Sequence, residues 1–211
     1  MNWIGSKEGK AKVKRENLEG NTRKGYCKIS PSMLGKNTQF CYAEKAAENL
    51  RKLDEWKNAK VIFVSPDSPQ RKVRENALKE GKILVMASPR LKHGFIVIKP
   101  EKVRGKESFA STIRGAFIFG EQTDDFLRPD LVVTGSVAVD IYGHRLGKGG
   151  GYGDRELAII RTKFGRVPVA TTVHDFQVVD SVPYEEHDEK IDIIATPTKT
   201  IRVTSSSFDK K

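Results

Sequence analysis

The chain has 211 residues, 37% of them hydrophobic, and a formal net charge of +11. This length favours one domain that can bury a sizeable core, and no apolar run approaches the roughly 18 residues that a membrane helix needs. The two cysteines, Cys27 and Cys41, form no CxxC pair, which excludes the usual zinc-ribbon spacing. A balance this basic favours anionic partners such as nucleotides, anionic cofactors or RNA.

An arm of residues 1–38 is predicted to precede the folded domain. It is rich in Lys, Gly, Asn and Ser, its hydrophobic periodicity is weak, and a short helix is expected near Lys10–Leu18. Because the arm lacks the apolar core of a secretory signal, we expect a cytoplasmic protein with reduced thiols, although a Cys27–Cys41 disulfide stays open. The basic side chains of the arm either stay solvated or make weak contact with RNA.

Residues 39–211 are predicted to form a single α/β domain, whose first half alternates helices with short apolar strands. In chain order, the pattern predicts an amphipathic helix over Tyr42–Trp56, a strand over Lys60–Val64, a turn over Ser65–Pro69, a helix through Val73 and Leu78, and strands over Ile83–Ala87 and Phe95–Ile98. Ser65 or Ser68 is expected to cap the second helix, and Gly81 to end it in a left-handed conformation.

The second half of the domain continues this alternation. In chain order, we expect a helix near Ser108–Phe119, a strand over Asp130–Val139, a glycine-rich loop, a helix over Asp154–Lys163 that Gly165 stops, and strands over Val167–Val173 and Ile191–Ala195. Apolar strands that alternate with helices are typical of a mainly parallel sheet. The sequence therefore predicts an α/β protein whose sheet is covered by helices on both faces.

The glycine-rich loop is the most informative stretch of the chain, because six of the eleven residues from 143 to 153 are glycine. Glycine lets main-chain N–H groups approach a ligand closely, and successive N–H groups can cradle an anion. The N-terminus of the following helix adds partial positive charge, and Arg145 and Lys148 add formal charge. These features favour phosphate binding over a plain structural turn, which is the alternative.

Two common phosphate-binding motifs do not fit this loop. In a Walker A loop the first glycine lies five positions before the GK pair, whereas Gly143 precedes Gly147 by four, and Gly149 occupies the place of the required Ser or Thr. The Rossmann pattern also fails, because no acidic residue follows about 20 residues later in a clean strand-end context. The loop is therefore expected to bind phosphate in another way.

Three segments carry a resemblance to a known family. Arg145–Asp154 resembles the signature of 5-formyltetrahydrofolate cyclo-ligases, also called methenyltetrahydrofolate synthetases, and Val173–Val179 and Glu186–Asp192 resemble that family's C-terminal blocks. The resemblance implies a three-layer α/β/α sandwich. It also implies an enzyme that uses ATP and Mg²⁺ to convert 5-formyltetrahydrofolate, or a related formylated pterin, to the 5,10-methenyl form through a phosphorylated formyl intermediate.

The resemblance further implies roles for individual residues. Arg145 and Tyr152 would be catalytic, with Tyr152 near the formyl group. Asp154 would face the metal, assisted by Asp192, and Asp67 would contact the folate-like substrate. The residues implied to bind ATP are Arg145, Gly147, Lys148, Gly149, Gly150, Gly151, Tyr152 and Asp154.

Three positions depart from the family pattern. Gly153 stands where the family has the second tyrosine of Gly-Gly-Gly-Tyr-Tyr-Asp, Asp67 stands for a glutamate, and Gln70 for a threonine. These departures resemble a divergent branch, similar to methenyltetrahydrofolate-synthetase-domain proteins. They leave two alternatives open: a nucleotide- or RNA-binding protein without cyclo-ligase activity, and an ATP-dependent enzyme on another heterocycle such as a thiamin-related compound.

Three further polar clusters each have two interpretations. His174-Asp175 is either a general-base pair or the brace of a loop at a strand end. His187-Asp188 lies near the site or in a solvated acidic turn. Arg71, Lys72 and Arg74 form a solvated helix face or contact an anionic substrate tail.

Overall fold

A central sheet of eight strands organises the protein, for which the computed structural model describes residues 42–185 and 188–203. The strands are β1 (Val61–Val64), β2 (Ile83–Ala87), β3 (Phe95–Ile98), β4 (Glu121–Thr123), β5 (Leu131–Gly135), β6 (Ala138–Asp140), β7 (Arg145–Leu146), β8 (Val169–Thr172), β9 (Val178–Val179), β10 (Ile193–Ala195) and β11 (Thr200–Arg202). Across the central sheet their order is β11-β10-β8-β5-β1-β2-β3-β4, and β7-β6-β9 form a small separate sheet.

Six α-helices accompany these strands within the described residues. They are α1 (Ala43–Arg51), α2 (Asp54–Asn58), α3 (Arg71–Lys79), α4 (Glu107–Ala110), α5 (Ile113–Phe119) and α6 (Tyr152–Phe164). Gly81 and Gly165 follow α3 and α6 with φ values of +73°, as their predicted roles as helix stops require. No helix in the described ranges combines the length and the apolar character that crossing a membrane requires.

The central sheet is mainly parallel, as predicted. β10, β8, β5, β1 and β2 pair in parallel in that order, while β11, β3 and β4 pair antiparallel at the two edges. All four residues of β1 are buried, and so is every residue of β8 and β10. Strands covered on both faces read as continuous apolar runs, which is why the short runs in this sequence were recognisable.

Helices cover both faces of the sheet and complete a three-layer α/β/α sandwich. On one face, α1 to α5 pack apolar side chains such as Leu50, Val73 and Ala116 against the strands. On the other face, α6 packs Leu157 and Ile160 against them. The fold class implied by the sequence is therefore confirmed.

The strand predicted over Asp130–Val139 is in fact two strands in two different sheets. β5 ends at Gly135, and the chain then leaves the central sheet and begins β6 at Ala138. Gly135, the last residue of β5, packs closely against the turn after β1, since a Cβ there would lie 2.5 Å from Oδ2 of Asp67. The apolar run continues through the break, so the sequence pattern hides it.

Several other predicted boundaries also differ. The helix predicted over Tyr42–Trp56 breaks at Leu53, whose extended backbone separates α1 from α2. The helix predicted near Ser108–Phe119 breaks at Thr112, whose hydroxyl accepts a hydrogen bond from the Gly115 N–H (2.9 Å) and caps α5. Neither serine before α3 caps it, because a 3₁₀ turn over Ser68–Gln70 leads into that helix instead.

Some predictions fall on residues outside the described ranges. These are the basic arm of residues 1–38 with the helix near Lys10–Leu18, the redox state of Cys27 and Cys41, and His187.

Candidate functional site

A pocket opens at the carboxyl ends of β1 and β5. The chain runs from β1 outward to β2 on one side and returns to β5 on the other, so the strand order reverses between β1 and β5. Ligands of open α/β sheets bind at such switch points. Residues 65–67 after β1, residues 134–137 around the end of β5, and the loop from Gly147 to Asp154 line the pocket.

The glycine loop leads directly into the N-terminus of α6. Gly151 is the N-cap of this thirteen-residue helix, with a left-handed backbone (φ 65°, ψ 7°). Such a backbone is unfavourable for residues with a side chain. The loop therefore delivers the free N–H groups and the positive dipole end of α6 to the rim of the pocket, an arrangement suited to an anion.

Arg145 lies beneath this loop, on β7. Its side chain is 2% exposed, and its Nη2 donates to Oδ1 of Asp154 at 2.5 Å. A Cβ at Gly153 would lie 3.0 Å from Nη1 of Arg145, tighter than most real contacts of a Cβ. The guanidinium thus occupies the space beside residue 153, which gives a physical reason for glycine at a position where the resemblance leads one to expect tyrosine.

Lys148 reaches across the pocket from the loop to the turn after β1. Its Nζ lies 2.7 Å from Oδ1 of Asp67, and both side chains are partly exposed. The structure therefore brings together the predicted phosphate-binding lysine and the predicted substrate-binding aspartate, which are 81 residues apart in sequence.

Glu156 is a carboxylate of this pocket that sequence reasoning missed. It is 4% exposed, and its Oε2 accepts a hydrogen bond from the Ser65 hydroxyl at 2.8 Å. Burial raises the pKa of Glu156 to about 7, and the nearby charge of Asp67 adds to this effect, while the Ser65 hydrogen bond opposes it. The available signal was its position three residues after Gly153, on the same face of α6.

Gln70 is also buried beside the pocket. Its Nε2 donates to Oγ1 of Thr172 at 2.8 Å, while its Oε1 has no hydrogen-bond partner among the described residues. Oε1 would lie 3.0 Å from a Cβ at Gly135, so a larger residue there would displace it.

Tyr152 and Asp154 both lie on the first turn of α6. Tyr152 is 36% exposed at the mouth of the pocket, with its ring 5.7 Å from the guanidinium carbon of Arg155. Asp154 is partly exposed and keeps one carboxylate oxygen outside its contact with Arg145. Within the described ranges, no group of three or more His, Cys, Asp or Glu side chains forms a ready metal cage. Mg²⁺ usually takes only one or two carboxylates together with phosphates and water, so Asp154 fits such an ion.

Asp192, the second predicted metal ligand, does not reach this site. Its Oδ2 accepts a hydrogen bond from the Val169 N–H at 2.9 Å, and its Oδ1 pairs with Arg166 at 3.0 Å. Val169 begins β8, whereas the pocket lies where the parallel strands end. The prediction that Asp192 assists Asp154 therefore conflicts with the geometry, and Asp192 is not part of the site.

The His174-Asp175 pair braces a loop. The His174 ring accepts from the Phe176 N–H at 3.3 Å and caps the 3₁₀ turn over Asp175–Gln177, while Asp175 accepts from the Thr196 hydroxyl at 2.6 Å. Burial lowers the pKa of His174. Neither residue lines the pocket, so the general-base interpretation is not supported.

The basic residues at the start of α3 do not form one solvated face. Arg71 is exposed and Lys72 pairs with Glu75, but Arg74 is 2% exposed. Both interpretations offered for Arg74 are therefore wrong, because its side chain is buried within the protein.

Comparison with known proteins gives the context for this geometry. The model of the 5-formyltetrahydrofolate cyclo-ligase family matches residues 21–197. Methenyltetrahydrofolate synthase domain-containing proteins of Bos taurus and Mus musculus are 40% and 41% identical to this chain over 174 residues, which are 77% of the chain and 45% and 46% of those proteins. The chain thus spans less than half the length of these relatives.

Two further comparisons concern an enzyme and a solved structure. The 5-formyltetrahydrofolate cyclo-ligase of Escherichia coli (strain K12) is 42% identical over 72 residues, 34% of this chain and 38% of that protein. The NMR structure of Aquifex aeolicus 5,10-methenyltetrahydrofolate synthetase superimposes with a TM-score of 0.58 at 21% identity, covering 92% of each chain, and supports the fold. Since the family match extends over most of the sequence, the chain belongs to the 5-formyltetrahydrofolate cyclo-ligase family.

Proposed function

We propose that this protein is a cyclo-ligase that uses ATP and Mg²⁺ to convert 5-formyltetrahydrofolate, or a related formylated pterin, to the 5,10-methenyl form. One observation carries the proposal. The glycine loop and its cations, Arg145 and Lys148, face Asp67 across a single pocket at the switch point of the sheet. Family membership supports the class of reaction.

The nucleotide triphosphate would lie along the glycine loop, over the N-terminus of α6. Main-chain N–H groups of Gly149 to Gly151, the Arg145 guanidinium and the Lys148 ammonium would hold its phosphates. Mg²⁺, when bound, would neutralise developing charge on the phosphates, with Asp154 as its protein ligand. Arg145 and Asp154 are in contact, so Arg145 would hold a phosphate of the nucleotide beside the Mg²⁺ that Asp154 would bind.

The organic substrate would lie between Asp67 and the loop, with Tyr152 at the pocket mouth beside the formyl group. In the proposed reaction the formyl oxygen attacks the γ-phosphorus and ADP leaves. The second nitrogen of the substrate then attacks the activated formyl carbon and loses its proton, and phosphate departs with the electrons of the C–O bond. Catalysis of this kind depends mainly on positioning and charge neutralisation.

The primary test is an assay with purified protein, Mg-ATP and 5-formyltetrahydrofolate that follows the methenyl chromophore. Turnover that requires both ATP and folate is the expected result. Lys148→Met should weaken ATP binding by about 2 kcal/mol, because it removes a charge-assisted contact, whereas Lys57→Met, at an exposed position of α2, should leave it unchanged. Equal ATP affinity in Lys148→Met and wild type would reject the phosphate site.

Absence of turnover with ATP binding intact would reject the cyclo-ligase reaction and retain the nucleotide site. A thermal-shift screen of formylated pterins and thiamin-related heterocycles would then identify the substrate, since a ligand that binds only the native state raises its stability. The predicted RNA contact concerns the basic arm, which lies outside the described residues, and remains a prediction.

A further inference from the structure

Arg74 is a fully enclosed cation directly behind the candidate site. It lies on α3 and is 2% exposed, and burial lowers the pKa of its guanidinium to about 10. The group therefore stays protonated at neutral pH. Enclosing a charge in this way is costly unless its hydrogen-bonding capacity is satisfied.

The donors of Arg74 go to main-chain carbonyl groups. Nη1 donates to the carbonyl oxygens of Ser65 (2.6 Å) and Asp67 (3.0 Å), and Nε donates to that of Ser111 (2.8 Å). In the part of the chain that the structure describes, no carboxylate forms an ion pair with it. A structural ion pair is therefore not the reason for this buried arginine.

Two of the three carbonyls belong to the turn that forms one wall of the pocket. The Ser65 hydroxyl of this turn donates to Glu156, and the Asp67 carboxylate contacts Lys148. The bond from Nε to Ser111 fixes the plane of the guanidinium, so that Nη1 holds both turn carbonyls in a fixed direction, which a flexible ammonium cannot do equally well. The buried guanidinium and the Asp67 carboxylate also attract each other, so the negative charge of Asp67 raises the pKa of Arg74 against the lowering effect of burial.

We propose that Arg74 is a positioning residue, which fixes the Ser65–Asp67 turn from behind so that the Asp67 carboxylate is presented to the organic substrate. The role in substrate binding rests on the proposed function, while the role in holding the turn does not. The nucleotide phosphates are assigned to the glycine loop, so loss of Arg74 should affect the organic substrate and spare ATP.

The test compares Arg74→Met with Arg71→Met, which removes an exposed arginine from the same helix. Hydrogen–deuterium exchange of the Ser65 and Gln70 amides, which donate to the carbonyls of Val133 and Asp67, should rise about tenfold in Arg74→Met and not in the control. The KM for 5-formyltetrahydrofolate should rise about tenfold while the KM for ATP changes less than about twofold. Arg74→Lys, which keeps the charge but not the fork, should lie between wild type and Arg74→Met in both measurements.

Each outcome decides between the alternatives. The positioning role is overturned if amide exchange in Arg74→Met is unchanged, or if exchange is faster but the KM for 5-formyltetrahydrofolate is unchanged. An equal rise in the KM values for ATP and for 5-formyltetrahydrofolate also overturns it. Should Arg74→Met fail to fold, Arg74→Lys is judged by the same criteria, and wild-type behaviour of that variant overturns the proposal. If the wild type does not bind 5-formyltetrahydrofolate, the proposed function is rejected. Faster amide exchange in Arg74→Met would then still support the role of Arg74 in holding the turn.

Discussion

The buried carboxyl of Glu156 predicts a pH dependence of stability that one substitution should remove. Burial, with the nearby charges of Asp67 and Asp154, raises its pKa from the ordinary 4.5 to about 7. Because the folded-state pKa exceeds the unfolded one, the folded state binds more protons between these values, and stability falls as pH rises. One pKa unit corresponds to about 1.4 kcal/mol, so the rise from 4.5 to about 7 lowers the free energy of unfolding by about 3 kcal/mol above pH 7.

Glu156→Gln keeps the shape and a hydrogen-bonding partner for Ser65 but cannot ionise. Relative to wild type, the free energy of unfolding of the variant should therefore rise between pH 5 and pH 8, by about 2 to 3 kcal/mol. Urea unfolding across this range, without nucleotide or Mg²⁺, measures the difference. Glu44→Gln, which removes a carboxylate from the exposed surface of α1, controls for the change in net charge. A difference between Glu156→Gln and wild type that stays constant from pH 5 to pH 8 would refute the reasoning.

Three further predictions concern the glycine loop, a close contact between two helices, and Arg145. Gly151→Ala should lower the free energy of unfolding, measured by denaturant titration, by about 1 kcal/mol. Backbone strain is the only cause, since no atom lies within 4 Å of a Cβ there. Gly147→Ala is the control, and it should lower the free energy of unfolding by less because Gly147 has no positive φ. Gly115→Ala should lower the free energy of unfolding by about 2 to 3 kcal/mol in the same titration, because its Cβ would lie 2.0 Å from the Phe109 carbonyl oxygen. An unchanged free energy of unfolding would show that α4 and α5 separate easily. Arg145→Lys should reduce ATP affinity about tenfold by calorimetry, because lysine cannot hold Asp154 and a phosphate in one planar fork; wild-type affinity would remove Arg145 from the nucleotide site.

The sequence by itself determined the architecture and predicted a phosphate-binding loop, because both inferences depend on local patterns. Short continuous apolar runs separated by helical periodicity are enough to indicate a parallel sheet covered on both faces. Six closely spaced glycines before a helix, with Arg145 and Lys148 among them, are enough to indicate a phosphate cradle. Family resemblance then supplied roles for Tyr152, Asp154 and Asp67.

Only the tertiary structure decided which distant side chains meet. The Lys148–Asp67 contact joins two loops because β1 and β5 are neighbours with parallel ends, a pairing that no local pattern specifies. For the same reason Asp192, directly before β10, lies at the amino ends of the parallel strands, away from the pocket at their carboxyl ends. Glu156 and Arg74 appear in sequence as ordinary charged helix residues. The packing of their helices buries both of them, and Ser65, directly after β1, supplies each with a hydrogen-bond partner that offsets the cost of burial.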